Sequence, residues 1–189
     1  MELTKSDDIK KVRLILSNLN TDLTLYKQLY LQDDSQEILN GTGVLVFSRF
    51  QSCFLDSIYL AISRLLDPAK NRKDKNLSFH LLVTELNLSE DPEISGLLEK
   101  VKGTFKDSRI KEYRNKVLSH NDYHSQSKVV FYPFDTELIS SMLSSFWELL
   151  IQIEYKKGLI ESPYTMGLNT ILNGGICGEA LLCKLRERT

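Results

Sequence analysis

The stretch DTELISSMLSSFWELLIQIEYKKG, residues 135–158, decides the fold class. Asp135 is a residue whose side chain can accept the unpaired N–H groups of a helix start, and Glu137 adds a negative charge in the first turn. Leu138, Ile139, Met142, Leu143, Phe146, Leu149, Leu150 and Ile153 then recur at steps of three and four, the period of one helix face. Gly158 supplies the stop. The spacing predicts a helix from Asp135 through about Tyr155 with one broad buried side, which demands other helices or a sheet to cover it.

Working outward, the rest of the chain offers helices. Ser6 to Leu31 places Ile9, Val12, Leu14, Ile15, Leu23, Tyr26, Leu29 and Tyr30 at helical spacing, with Asn18–Asn20 as the place where such a helix would bend. Gln36 to Leu66 has an apolar face of Leu45, Phe47, Phe50, Phe54, Leu55, Ile58, Tyr59, Ile62 and Leu65 that ends at Asp67-Pro68, and is expected to be the central core helix. Gly41 and Gly43 are expected to weaken it near its start, at about 1 kcal/mol each relative to alanine. DPAKNRKDKN, residues 67–76, reads as an exposed loop, and Leu77 to Leu88 as a short helix. Asp91-Pro92-Glu93 supplies a cap, a first-turn proline and an early acid for a helix expected to run toward His120. A last helix is expected over Glu179–Arg186, after a turn at Gly174-Gly175-Ile-Cys-Gly178. Only Lys128 to Phe134 (KVVFYPF) looks like a strand, and Pro133 breaks it, so it reads as an extended connector. The expectation is an all-α antiparallel bundle of about four to five helices with an extra C-terminal helix.

Composition narrows the function. The chain has 189 residues, 42% hydrophobic and 26% charged, with a net charge of -1, so nothing global draws it to nucleic acid or an anionic membrane. Charges interrupt each apolar run, and the first residues carry Glu2, Lys5, Asp7, Asp8, Lys10, Lys11 and Arg13, the reverse of a signal-peptide core. Cys53, Cys177 and Cys183 are an odd number and show no close pairing of the zinc type, so they read as reduced side chains, with Cys177 and Cys183 filling a C-terminal helix. These features together predict a cytoplasmic protein outside the membrane, with no metal or cofactor.

The chemistry gathers in RIKEYRNKVLSHND, residues 109–122. Lys100 to Lys116 holds Lys100, Lys102, Lys106, Arg109, Lys111, Arg114 and Lys116 against Asp107 and Glu112, a local charge of +5 on a chain of -1. Such a run is either a solvated helix face or a surface that attracts an anion. Arg114, planar and permanently charged, suits a phosphate in two-point contact. His120 can exchange a proton near neutral pH, its ordinary pKa being about 6.5. Six residues apart on an unbroken helix, the two lie about 9 Å apart along the axis and about 120° apart around it, so they do not share a face. They can serve one anion if the helix loosens before His120, or, as the favoured arrangement, if they flank a groove completed by a second chain. Arg114 has a plainer use too, pairing with Asp56, Asp67 or Glu112, and His120 can serve as a helix C-terminal cap.

The spelling RNK-x-x-S-H-N-D from Arg114 to Asp122, with LAISRLLD at 60–67 and LSFH at 77–80 upstream, resembles the R-x(4–6)-H pattern of the HEPN superfamily, and within it the abortive-infection U-type branch. The resemblance runs from about Phe50 to Asp122. It implies a single HEPN-like helical domain over 1–189, with 160–189 as an extension packed on it, and a homodimer with a composite cleft. It implies metal-independent cleavage of an RNA phosphodiester by the neighbouring 2′-hydroxyl, with Arg114 and His120 as the catalytic pair and Asn115 in support. Asp122 would hold a tautomer or cap the helix end, while Arg109, Lys111 and Lys116 would bind RNA. A defence or stress role of toxin-like kind follows, with RNA as substrate and an antitoxin or activator protein as a further partner. The tyrosine that some HEPN toxins carry two residues after the histidine is absent, since Asp122 stands there. Two other readings use the same residues: a non-catalytic RNA- or nucleotide-binding module, and a helical interaction protein. His124 reads as a solvated loop residue and His80 as a surface one.

Overall fold

A computed structural model describes residues 2–118, 134–163 and 177–187. Among them, helices dominate: α1 (Glu2–Tyr30), α2 (Ser35–Leu65), α3 (Phe79–Glu85), α4 (Pro92–Asp107), α5 (Ile110–Tyr113) continuing into a π-type turn (Arg114–Leu118), α6 (Thr136–Lys156) and α7 (Gly178–Arg186). The all-α expectation holds. The described residues fall into two compact units, one within Met1–Ser17 and Tyr59–Leu168, the other within Asn18–Ile58 and Asn169–Thr189.

In the first unit, α6 is the helix its sequence specifies. The Asp135 carboxylate accepts the Leu138 N–H at 2.9 Å, and the backbone turns left-handed at Gly158 (φ 66°), whose N–H reaches the Tyr155 carbonyl at 2.9 Å. Ile139, Met142, Leu143, Phe146, Leu149, Leu150 and Ile153 are buried on one side. α4 packs against α6 and contributes Ile94, Leu98 and Val101, while the Phe79 ring of α3 stacks on Phe146 at 5.5 Å. The start of α4 is the cap that Asp91-Pro92 predicts, with Asp91 Oδ1 accepting the Glu93 and Ile94 N–H groups at 3.0 and 3.1 Å. Lys156 closes the far end of α6 onto that cap, 3.1 Å from both Asp91 and Glu93. Within this core the Glu154 carboxylate, 5% exposed, is held by Arg13 of α1 through both oxygens, one of them at 3.0 Å from Nε. The same guanidinium lies 5.6 Å from the Trp147 ring centroid, so charge, hydrogen bonds and ring face are satisfied together.

The second unit is built by the later part of α1, most of α2, and α7. Leu29, Ile38, Leu39 and Leu182 form its buried cluster, with Tyr30, Phe47, Phe54 and Leu185 against it. Gly178 opens α7 where α1 passes closest: its N–H donates to Gln28 Oε1 at 3.0 Å, and a Cβ there would lie 2.9 Å from Gln28 Cβ and 3.3 Å from the Leu25 carbonyl oxygen. The close approach explains the glycine. Arg186 at the other end of α7 forks onto Asp34, both contacts 2.6 Å.

α2 does deform where Gly41-Thr-Gly43 foretells it, at Gly43 (φ 176°, ψ 72°), but it is not a core helix throughout: Ile58, Tyr59, Ile62 and Leu65 are buried, while Val44, Leu45, Val46 and Phe50 are exposed. By length and composition α2 is long and apolar enough to cross a membrane, although charged residues interrupt it. Residues 67–76 are exposed as expected but contain a two-residue antiparallel hairpin, Lys70–Asn71 (β1) with Asp74–Lys75 (β2), turned by Arg72 at φ 56°. The helix starting at Asp91-Pro92 stops at Asp107 instead of running toward His120. α1, by contrast, continues through Asn18–Asn20 without a break. The connector at 128–133 and the glycines at 174–175 lie outside the described residues.

Candidate functional site

The site begins where α4 ends. Ser108 Oγ donates to the Phe105 carbonyl at 2.7 Å and accepts the Ile110 N–H at 3.3 Å, so one hydroxyl closes α4 and helps to start α5. Between them Arg109 takes a left-handed backbone (φ 60°, ψ 7°), a strained conformation for a residue with a side chain. Ile110, 2% exposed, anchors the restart in the core, and Tyr113 sets its ring 4.9 Å from Tyr59, edge to face. The next residue is Arg114.

Arg114 opens the π-type turn, Arg114–Leu118. Such widened turns occur mostly as single turns and often at functional sites. The turn widens the helix at Arg114, while His120, two residues past its end, lies outside the described residues. The guanidinium is held by Asp67, Nη1 to Oδ1 at 2.6 Å and Nη2 to Oδ2 at 3.3 Å, a pair with side chains 29% and 22% exposed. Asp67 lies just beyond the C-terminal end of α2, where the helix dipole disfavours a carboxylate, and the cation offsets that cost. Of the carboxylates weighed as partners, Asp67 is the one that holds it. The contact is end-on, through the two terminal nitrogens, and leaves the edge formed by Nε and Nη2 without an acceptor among the described residues. That edge can still grip a phosphate in two-point contact.

The basic run is less bare than its composition. Glu112 accepts from Arg109 Nε at 2.9 Å and from Lys116 Nζ at 2.8 Å. These two hydrogen bonds, Arg109's the stronger, pull the Glu112 carboxyl down to about 2. Lys100 lies 3.5 Å from Glu148 and Lys102 2.6 Å from Glu99, an acid one residue outside the stretch whose charge was counted. Lys111, Asn115 and Lys116 are exposed. Because its folded-state pKa is depressed, Glu112 contributes stability above its usual 4.5 and loses that contribution as pH falls from there through about 2. Glu112→Gln is therefore expected to cost stability near neutral pH and nothing near pH 2. Thermal melts of Glu112→Gln and wild type between about pH 2 and pH 7 read the difference.

His120, Asp122 and His124 lie outside the described residues, and Phe134 is the first described residue after them. Its ring is 5.6 Å from Tyr59. His80 is half-buried on α3, not a surface residue, and burial first, then Lys102, lowers its pKa. Cys177 is buried as expected of a filler, whereas Cys183 is exposed. Sequence reasoning missed a cavity of about 190 Å³ in the first unit, lined by Tyr59, Asp107, Ser108, Arg109, Tyr113 and Asp135 among others. The charged and aromatic residues are plain in the sequence, but only the break at Ser108–Arg109 brings them round one hollow.

Comparison with curated proteins gave no match, and comparison with solved structures gave none either. The family model HEPN_AbiU2, described as AbiU2, matches residues 9–152, a range that takes in α1 through most of α6 and includes Arg114 to Asp122. With three quarters of its length matched, an all-α architecture and the basic helix end at Arg114, the chain belongs to the AbiU2 family of HEPN proteins.

Proposed function

We propose that this chain is a metal-independent endoribonuclease in which Arg114 and His120 cleave RNA at a cleft between two copies of the chain. The observation that carries the reading is Arg114 itself: a guanidinium fixed end-on by Asp67 at a widened turn, its second edge meeting no acceptor among the described residues, in a chain of the AbiU2 family. In the reaction the 2′-oxygen bonds to phosphorus as its proton leaves, and the P–O5′ bond breaks as the 5′-oxygen takes a proton. The products are a 2′,3′-cyclic phosphate and a 5′-hydroxyl. His120 moves a proton, Arg114 stabilises the charge growing on the phosphoryl oxygens, and Asp67 positions Arg114. Asn115 and Asp122 support the pair, and Arg109, Lys111 and Lys116 hold flanking phosphates. The nucleophile is internal to the substrate and the arginine supplies the positive charge, so the chemistry needs no metal. A cytoplasmic defence or stress role, restrained by an antitoxin or triggered by an activator, completes the reading.

One observation favours the non-catalytic module instead: two of Arg114's N–H groups are already spent on Asp67, as a purely structural cation's would be. Incubating labelled total RNA with the wild-type dimer and with folded Arg114→Ala separates the two. Cleavage by wild type alone supports the nuclease. RNA left intact by both, yet bound by both, supports the module.

A further inference from the structure

The cavity at the break between α4 and α5 has a composition that neither the catalytic pair nor the phosphate contacts explain. Its volume of about 190 Å³ is room for about six waters, the scale of a single heterocycle rather than a whole nucleotide. Tyr59 and Tyr113, with ring centroids 4.9 Å apart, give it aromatic walls. Two carboxylates stand at it, Asp107 at the end of α4 and Asp135 at the start of α6. Asp135 Oδ1 is committed to the Leu138 N–H, but its Oδ2 accepts no bond from a described residue, and neither does Asp107. Tyr113, the residue preceding Arg114 in the chain, lines the hollow.

We propose that this cavity is a base pocket for a guanine of the bound RNA. The chemistry selects among the four bases. Guanine alone sets two adjacent kinds of donor, N1–H and the 2-amino group, on one edge, a match for the two oxygens of a carboxylate. Adenine and cytosine place an acceptor nitrogen beside their amino group, and uracil flanks its one N–H with two carbonyls, so each turns a lone pair toward the same carboxylate. The tyrosine walls take the base's apolar face, as aromatic side chains do in proteins that read unstacked RNA. Arg109 lines the cavity at the strained break that opens it, placing a cation where a flanking phosphate would lie.

The pocket's substrate rests on the ribonuclease reading, but base binding does not depend on cleavage, and the experiment uses that difference. Titrating the full chain with 5′-GMP, AMP, CMP and UMP, all carrying the same phosphate, isolates the base. GMP is expected to bind roughly tenfold more tightly than UMP, the discrimination of one good two-point contact. Asp107→Ala, at an exposed position and removing the carboxylate with both oxygens unspent among the described residues, should erase most of that preference while leaving UMP binding unchanged, and Asp135→Asn, which keeps a capping side chain, should weaken it by less. Arg114→Ala should keep it. Preference for GMP in a protein that cleaves no RNA upholds the pocket and removes the nuclease. Equal binding of the four nucleotides, no binding, or a GMP preference untouched by both aspartate variants overturns the pocket, whether or not RNA is cleaved.

Discussion

His120→Ala is expected to lower the rate of RNA cleavage about 10²- to 10⁴-fold while leaving RNA affinity within a factor of a few. The span is what a positioned proton-transfer group contributes, and it falls on the turnover step because the imidazole is needed where a proton moves, not where phosphates are held. Arg114→Ala should cost turnover by about 10² to 10³, the worth of one preorganised donor to developing charge, and should weaken binding as well. Arg114→Lys should recover little, since an ammonium cannot keep the end-on fork to Asp67 and offer a second flat edge. Asp67→Ala probes the same point from behind: it frees the guanidinium to wander, and a decrease of about tenfold in kcat with KM little changed marks Asp67 as a positioning residue. A rise in activity on removing Asp67 would mean that the carboxylate masks the arginine instead of aiming it. Steady-state cleavage of a labelled oligonucleotide, with filter binding for affinity, reads all four.

The second large effect is on stability. Arg13→Ala leaves Glu154, only 5% exposed, without the guanidinium that holds both its oxygens, and removes the cation from the face of Trp147. Breaking a buried pair from one side costs about 3–5 kcal/mol, against at most about 1 for a surface pair, because the remaining charge stays desolvated. The double variant Arg13→Met/Glu154→Leu removes both charges and fills the space, and should recover most of the loss. Urea titrations of the three proteins decide it: a single-variant loss below about 1 kcal/mol would show that water reaches the carboxylate after all.

Part of this architecture is written in the sequence and part arises only on folding. Helix starts at Asp135 and Asp91-Pro92 and the stop at Gly158 were legible because the chemistry is local: a side-chain oxygen meets an N–H two or three residues away, and a glycine takes a backbone angle others resist. The exposure of Val44 to Phe50 was not legible. Periodicity says that a face is apolar but not what covers it, and here α2 is covered at its first turn, at Ile38 and Leu39, and over its last turns, but not between Val44 and Phe50. The break at Ser108–Arg109 was hidden for another reason, since a left-handed arginine leaves no compositional mark. At the candidate site the sequence offered Arg114 three carboxylates, and only folding across 47 residues of separation selects Asp67. The local charge of +5 was an overcount in effect, because Glu99 and Glu148 stood outside the window and Glu112 serves two cations at once.

The central claim is that an arginine and a histidine, with the substrate's own 2′-hydroxyl, suffice to cut RNA. The most direct measurement is end-group mapping of RNA incubated with the purified protein in excess EDTA. The account predicts fragments ending in 2′,3′-cyclic phosphate, with 5′-hydroxyl partners, from wild type and none from His120→Ala. Cleavage that stops when EDTA is added, or that leaves 5′-phosphate and 3′-hydroxyl ends, would contradict it.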